Sequence, residues 1–220
     1  TVLSRGLGDV YKRQLLMSVT STAITRSTIQ LPIDDGVVGL RSLSPQRHRF
    51  ELEYALERGS TANSVLFEAN DGAPAVLVHP PGVAYSAAFL PVLADVLPSS
   101  DEPLVVVVGH VNPNRVALLR NLAEAYAGLE LIVSNPGAKL IEELWNQRKP
   151  APPGETTEQP PLPDLPPLRV IRQEQTLPLS HQRSLMLLPA PTPRWPGGLL
   201  AFEESLGLLM SDKFFSAHLC

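Results

Sequence analysis

The sequence predicts an α/β protein, one half of an αββα sandwich, and three observations carry this prediction. Two short apolar stretches, 63–69 and 75–79, flank an Asn-Asp-Gly turn, whose tolerance of positive φ favours an antiparallel hairpin. Strand-like and helix-like stretches then alternate along the chain, starting with the apolar run at 103–108. A polar loop with the pattern His-x-Asn-x-Asn-Arg follows that run directly, at 110–115.

The first elements follow from the spacing of apolar residues. Residues 50–57 alternate between apolar side chains and mostly acidic ones, which predicts a half-buried strand, followed by a turn at 58–61. Residues 84–97 favour a helix that Pro91 either kinks or divides.

The later elements are better defined. The run 103–108 is apolar on both faces, which is typical of a central strand covered on both sides. Helical spacing follows in 115–127, then a strand at 129–133 and a helix that begins with the capping residues Ser134, Asn135 and Pro136. Short strands are predicted at 168–172, 184–190 and 206–210, with a further apolar piece at 199–202.

Three segments are set apart from this fold. Residues 1–14 contain SRGLGDVYKRQ, which resembles the translation of a sequencing-adapter remnant, the alternative being a genuine leader. Residues 15–40 are interpreted as a flexible lead-in to one domain over 41–220. The proline-rich stretch 150–167 is predicted to be an extended, solvated insertion, either a spacer or a ligand for SH3-like partners.

Composition excludes several classes of protein. The formal charge of −4 and a pI near 5.7 argue against nucleic acid or an anionic membrane surface as a partner. No apolar run approaches the roughly 18 residues that cross a bilayer. The single cysteine, Cys220, excludes an internal disulfide and a cysteine-rich zinc cluster, and it suits a reducing cytoplasm.

Three stretches carry a family resemblance that extends over about 40–220. They are RSLSPQRHRFELEYALERGSTANSVL (41–66), VVVVGHVNPNRVALLRNL (105–122) and APTPRWPGGLLAFEESLGLLMSDKFFSAHLC (190–220). Together they resemble the metallo-β-lactamase-like domain of flavodiiron proteins, and specifically the cyanobacterial diflavin flavoproteins. The resemblance implies a metallo-β-lactamase-like αββα sandwich, partial because it is cut at its C-terminus.

The resemblance also implies a ligand set for a non-haem di-iron centre, most of which is altered here. His110 keeps the family's first histidine and Asp212 its bridging-type aspartate. Four positions have changed, and a further family histidine is expected beyond Cys220. The changed positions are Asn112 for a glutamate, Asn114 for an aspartate, Arg115 for the second histidine and Arg194 for the histidine before Trp-Pro.

Charge decides what such a pocket can hold. Two ferrous ions bring four positive charges, whereas these positions offer one carboxylate and two guanidiniums that stay protonated. One arginine about 4 Å from Fe²⁺ would cost on the order of 8 kcal/mol at an effective dielectric near 20. We therefore expect no di-iron centre and expect Arg115 or Arg194 to fill the space and pair with Asp212. Remaining positive charge could hold a small anion such as chloride, sulfate or phosphate.

The resemblance further implies the cofactors and partners of the whole protein. FMN is expected in domains after position 220, so this fragment alone is expected to bind no FMN and to be inactive. The implied role is electron transfer towards O₂ beside a subunit with the full ligand set, as a heterodimer, or as a homodimer.

Two other functions remain open at the level of sequence. One is a hydrolase on the same sandwich that uses His110 and Asp212 with one metal ion, and the other is a structural module with an anion in the pocket. His110 itself is open to two interpretations, a hydrogen-bonding or salt-bridging role and a metal ligand. Trp195 could be a core anchor or a partner-facing ring near a flavin.

Overall fold

The computed structural model describes residues 25–46, 49–50, 53–54, 59–70, 72–97, 102–147 and 161–214. Within them the chain forms a seven-stranded sheet, a four-stranded sheet and a two-stranded pair. The strands are β1 (Ser27–Asp34), β2 (Val37–Ser44), β3 (Arg49–Phe50), β4 (Glu53–Tyr54), β5 (Ser60–Phe67), β6 (Ala75–Val78), β7 (Leu104–Val107), β8 (Leu129–Ser134), β9 (Leu168–Ile171), β10 (Gln175–Pro178), β11 (Ser184–Pro189), β12 (Leu199–Glu203) and β13 (Leu208–Met210).

The large sheet has the order β1-β2-β5-β6-β7-β8-β9, and its strand pairing changes from antiparallel to parallel at β6. Its first four strands pair antiparallel, whereas β6 to β9 pair parallel. Each of the three parallel connections contains a helix, because a chain that rejoins a parallel neighbour must cross over one face of the sheet. The second sheet, β10-β11-β12-β13, is antiparallel throughout.

The helices begin where the sequence places caps. A 3₁₀ turn (Val83–Tyr85) leads into α1 (Ser86–Val96), which runs through Pro91 as a single helix. Asn112 caps α2 (Pro113–Ala125), and Ser134 caps α3 (Asn135–Trp145), each by accepting a backbone N–H in the first turn, with Pro at the start of the helix.

Two apolar cores lie on the two faces of the large sheet. Alternate residues of its central strands, such as Leu77 and Val106, face the helices, while their neighbours, such as Val76 and Val105, face the second sheet. The layers are therefore helices, large sheet and small sheet. This arrangement explains why 103–108 is apolar on both faces.

The prediction of a lead-in at 15–40 is wrong for its second half. Residues 27–34 form β1, which pairs antiparallel along β2. The hairpin turn lies at Asp35 and Gly36, where Gly36 has a φ of +66° that glycine adopts without a steric penalty. The interpretation of residues 1–14 falls outside the described residues.

The prediction of one strand at 50–57 is also wrong. β3 and β4 pair with each other antiparallel, Arg49 opposite Tyr54, so the chain reverses within this stretch. Local alternation between apolar and charged residues could not reveal that reversal. The sequence also missed β10, whose exposed residues and Pro178 lack a strand-like apolar pattern.

The proline-rich insertion is described only from 161 onward, and that part is not simply solvated. The indole Nε1 of Trp145 donates to the carbonyl of Pro163 at 2.8 Å, and the backbone N–H of Leu131 donates to the carbonyl of Pro167 at 2.9 Å. The last residues of the insertion therefore pack against the core before β9 begins. None of the helices in the described ranges is long and apolar enough to cross a membrane.

Candidate functional site

The candidate site lies where the parallel strands of the large sheet end. His79 directly follows β6, and Gly109 and His110 follow β7, so the parallel register brings these residues to one edge of the sheet. Asp212 follows β13 of the second sheet and reaches the same place. Its backbone has a φ of +49°, in the left-handed region, which Asp tolerates better than most residues.

A buried ion pair joins Arg115 to Asp212. The guanidinium Nη1 donates to Oδ2 at 2.9 Å and Nη2 donates to Oδ1 at 3.2 Å, a bidentate arrangement. The two side chains are only 8% and 10% exposed. Arg115, one of the two arginines expected to pair with Asp212, thus engages both oxygens of the carboxylate.

His110 is fixed by hydrogen bonds at both ring nitrogens. Its Nδ1 lies 2.5 Å from Asp212 Oδ2, and its Nε2 lies 2.9 Å from Asn112 Nδ2. The Asn112 Oδ1 accepts the backbone N–H of Arg115 at 2.9 Å, which orients the Asn112 amide so that its NH₂ donates to the ring. His110 Nε2 is therefore the acceptor, and Nδ1–H donates to the carboxylate.

His79 belongs to the same buried group. Its Nε2 lies 3.1 Å from the carbonyl of Leu199, so that nitrogen carries the proton. A Cβ at Gly109 would lie 2.5 Å from Asp212 Oδ2 and 2.7 Å from His79 Nε2. Only a glycine at position 109 leaves room for the Asp212 carboxylate and the His79 imidazole to lie this close to the backbone.

At neutral pH this buried group contains one anion, Asp212, and one cation, Arg115. Burial lowers the pKa of His110 to about 4, and the Arg115 charge adds to that shift. Burial likewise lowers the pKa of His79 to about 4. Burial alone would raise the pKa of Asp212, but Arg115 and the hydrogen bond from His110 outweigh it and hold that pKa well below its usual value. Near neutral pH both imidazoles are uncharged and Asp212 is a carboxylate.

Trp195 covers the outer side of His110. The two rings meet edge to face, with centroids 4.8 Å apart and planes at 64°. Arg194 and Lys213 each place a cation 5.3 Å from the Trp195 ring centroid. Trp195 is half-buried, so it anchors the loop 191–198 while one edge remains near solvent.

No protein-family model matches the chain, but individual relatives do. It is 33% identical over 207 residues to putative diflavin flavoprotein A 4 and 36% identical over 190 residues to putative diflavin flavoprotein A 6, both from Nostoc sp.. These alignments cover 93% and 86% of this chain. The chain spans about a third of each relative, 32% and 30% of their lengths.

Solved structures agree with these relatives. A fragment (1–254) of putative diflavin flavoprotein A 5 from Nostoc sp. PCC 7120 is 30% identical with a TM-score of 0.74, and the match covers 89% of this chain and 70% of that one. The chain belongs to the cyanobacterial diflavin flavoproteins of the flavodiiron family. A metal-soaked Flv1 flavodiiron core from Synechocystis sp. PCC6803, 32% identical with a TM-score of 0.72, covers 89% of this chain and 44% of that one.

The fold is accordingly the metallo-β-lactamase-like fold of flavodiiron cores, as the sequence predicted. Of the six positions that the sequence resemblance marked, four meet in the buried group: His110, Asn112, Arg115 and Asp212. Asn114 lies exposed in the first turn of α2, and Arg194 lies exposed on Trp195. Among the described residues, no three His, Cys, Asp or Glu side chains are grouped so as to hold a metal ion.

Sequence reasoning missed three residues of this site. His79 follows β6 just as His110 follows β7, a positional signal that was available in the sequence. Lys213 carried no signal, because its place against Trp195 depends on the turn after β13. Gly109 directly precedes the 110–115 loop, and only the approach of two side chains reveals why it must be glycine.

Proposed function

We propose that this chain is the core domain of a variant flavodiiron subunit, in which an ion pair takes the space that a di-iron centre takes in members with the full ligand set. The observation that supports the proposal best is the bidentate Arg115–Asp212 pair, buried beside His110. A guanidinium cannot lose its proton in a protein and has no lone pair to offer a metal.

The residues present do not fit a di-iron centre. Both oxygens of Asp212 accept from Arg115, and both nitrogens of His110 are engaged, one with Asp212 and one with Asn112. Neutral amides at Asn112 and Asn114 supply no charge to offset two ferrous ions. A metal would have to displace Arg115 from a buried carboxylate, and the displaced cation would then repel it.

Iron analysis tests this proposal. The chain, purified after expression with added iron, should contain far less than one iron per molecule, while a family member with the full ligand set, handled in parallel, should contain about two. Near-stoichiometric iron in this chain would overturn the proposal.

We further propose that the whole protein takes part in electron transfer to O₂ beside a subunit with the full ligand set, as a heterodimer, or else as a homodimer. The relatives are about three times as long as this chain, and FMN would bind in their remaining length rather than here. Co-expression of the full-length gene with such a subunit tests this. A mixed complex with faster O₂ uptake than either subunit supports the heterodimer. Separate elution with unchanged uptake contradicts the heterodimer, and a lack of O₂ uptake by the full-length protein in both preparations contradicts the homodimer as well.

The geometry gives little support to the hydrolase alternative. A one-metal or general-base mechanism needs a free nitrogen on His110, yet Nε2 accepts from Asn112 and Nδ1–H is held by Asp212. Chelator-sensitive esterase or phosphodiesterase turnover by the purified chain would revive this alternative.

A small anion remains a candidate ligand, but at a different place from the one expected. Asp212 already pairs with Arg115, and we propose that an anion binds where Arg194 and Lys213 each lie 5.3 Å from the Trp195 ring centroid. Phosphate at constant ionic strength should raise the melting temperature, and Arg194→Ala should reduce that rise, whereas Arg172→Ala, at another exposed arginine, should not. Equal responses in both variants would exclude this site.

A further inference from the structure

Two buried hydroxyl groups, one on β2 and one on β5, have no protein partner among the described residues. Ser44 and Ser60 lie opposite each other in the β2–β5 register, and each residue is 1% exposed. Neither Oγ has a hydrogen-bond partner in the structure, among the residues it describes. Burying a hydroxyl without a partner is unfavourable, so such a pair calls for an explanation.

Two other serines on the same face of the sheet, Ser42 and Ser64, have hydrogen-bond partners. Residues two apart on a strand share a face, so Ser44 points the same way as Ser42, and Ser60 the same way as Ser64. Ser42 Oγ lies 3.0 Å from Thr28 Oγ1, and Ser64 Oγ donates to the carbonyl of His79 at 3.0 Å. The lack of a partner is therefore local to the Ser44–Ser60 pair.

Tyr85 supplies a further polar atom beside the two serines, and the chain at Gly59 closes the other side. Tyr85, 5% exposed, points its hydroxyl at the carbonyl of Ser60, but at 3.5 Å, the long limit of a hydrogen bond. On the other side, a Cβ at Gly59 would lie 2.3 Å from the Ser44 carbonyl oxygen and 2.6 Å from Pro45 Cα. The chain at Gly59 therefore passes close to Ser44 and Pro45. The two hydroxyls lie on the same face as Leu40 and Leu66, which belong to the core under the helices.

We infer that Ser44, Ser60 and Tyr85 form a binding site for one internal water molecule. A buried water typically makes two to four hydrogen bonds to groups that would otherwise lack partners. Here it accepts or donates at the two serine hydroxyls and bonds the Tyr85 hydroxyl in place of the long direct contact. The site assigns roles to Ser44 and Ser60, which the proposed function leaves unexplained.

The water would link three elements near the candidate site. It bridges β2 to β5 and both strands to the 3₁₀ turn that contains Tyr85. That turn follows Gly82, where a Cβ would lie 3.4 Å from Asn114 Cβ, in the first turn of α2. The same turn packs against α2, the helix whose N-terminal end carries Arg115.

A high-resolution crystal structure of the chain tests the inference. It should show one ordered water within hydrogen-bond distance of both serine oxygens, and Ser44→Ala and Ser60→Ala should each remove that peak. Unfolding of the same variants provides a second readout that depends on the water. Each variant should melt at a lower temperature than the parent, because a bridged hydroxyl stabilises the fold.

Melting temperatures that stay the same or rise in these variants would overturn the inference. If no water binds, each substitution removes a buried hydroxyl without a partner, so the melting temperature should stay the same or rise. Ser42→Ala is the matched control, because it removes a buried hydroxyl that already has a protein partner and should leave the water peak in place. Absence of the peak in the parent contradicts the inference whatever the variants do.

Discussion

Replacing Arg115 by methionine should destabilise the protein strongly, because it leaves a buried carboxylate without its cation. The two charge-assisted hydrogen bonds, at 2.9 and 3.2 Å, join side chains that are 8% and 10% exposed. Removing one partner of such a pair costs about 3–5 kcal/mol. The Coulomb energy of two unit charges about 4 Å apart at a dielectric near 20, roughly 4 kcal/mol, agrees with that range.

Thermal unfolding followed by circular dichroism at pH 7 measures this effect. For a domain of this size a loss of about 3–5 kcal/mol corresponds to a melting temperature lower by about 6–20 °C. Adding Asp212→Asn to Arg115→Met should recover much of the loss, because the amide is neutral, tolerates the left-handed backbone and still accepts from His110.

An exposed ion pair provides the control. Arg169 and Glu130 form a bidentate pair with side chains 41% and 28% exposed, so Arg169→Met should cost less than about 1 kcal/mol. A loss from Arg115→Met no larger than this control, or a double variant no more stable than the single one, would refute the reasoning.

Three further predictions concern the surrounding residues. His79 and His110 have pKa values near 4 in the fold and an ordinary value of 6.5, so the unfolded chain binds more protons between these values. The free energy of unfolding should therefore fall as pH drops from about 6.5 to 4, by about 3 kcal/mol per histidine, and urea titrations with a flat profile there would contradict this. Asn112→Asp should raise the pKa of His110, because a carboxylate would favour a proton on Nε2; an unchanged value in an NMR titration would count against the assigned tautomer. Gly109→Ala should cost about 1–3 kcal/mol in chemical denaturation because its Cβ has no room, whereas Gly82→Ala, with only a 3.4 Å contact, should cost less; equal losses would argue against the crowding.

The sequence predicted the parallel half of the fold more accurately than its ends. Apolar runs such as 103–108 and capping residues such as Ser134 act locally, so they identify β7 and α3 from a few residues. β1 was missed although both of its signals were present in the sequence: Ile29, Leu31 and Ile33 alternate with polar residues and Pro32, and Asp35-Gly36 is a hairpin turn signal. β3 and β4 could not be predicted, because their pairing depends on a reversal that the 50–57 pattern does not encode.

The sequence predicted which residues the candidate site would contain, but not which of the two arginines would pair with Asp212. The family resemblance marked the positions, and their charges predicted that Arg115 or Arg194 would pair with Asp212; in the structure Arg115 does so. Position in the fold decides between them. Arg115 is the third residue of α2, where the Asn112 cap directs the helix start toward the β7 edge, whereas Arg194 belongs to a loop that keeps it exposed.

Soaking crystals of the chain in ferrous or zinc salt, followed by anomalous diffraction, tests the central claim most directly. The ion-pair account predicts no anomalous peak between His110 and Asp212, with the Arg115 guanidinium still bidentate on the carboxylate. A metal peak within bonding distance of His110 and Asp212, with Arg115 turned away, would contradict it.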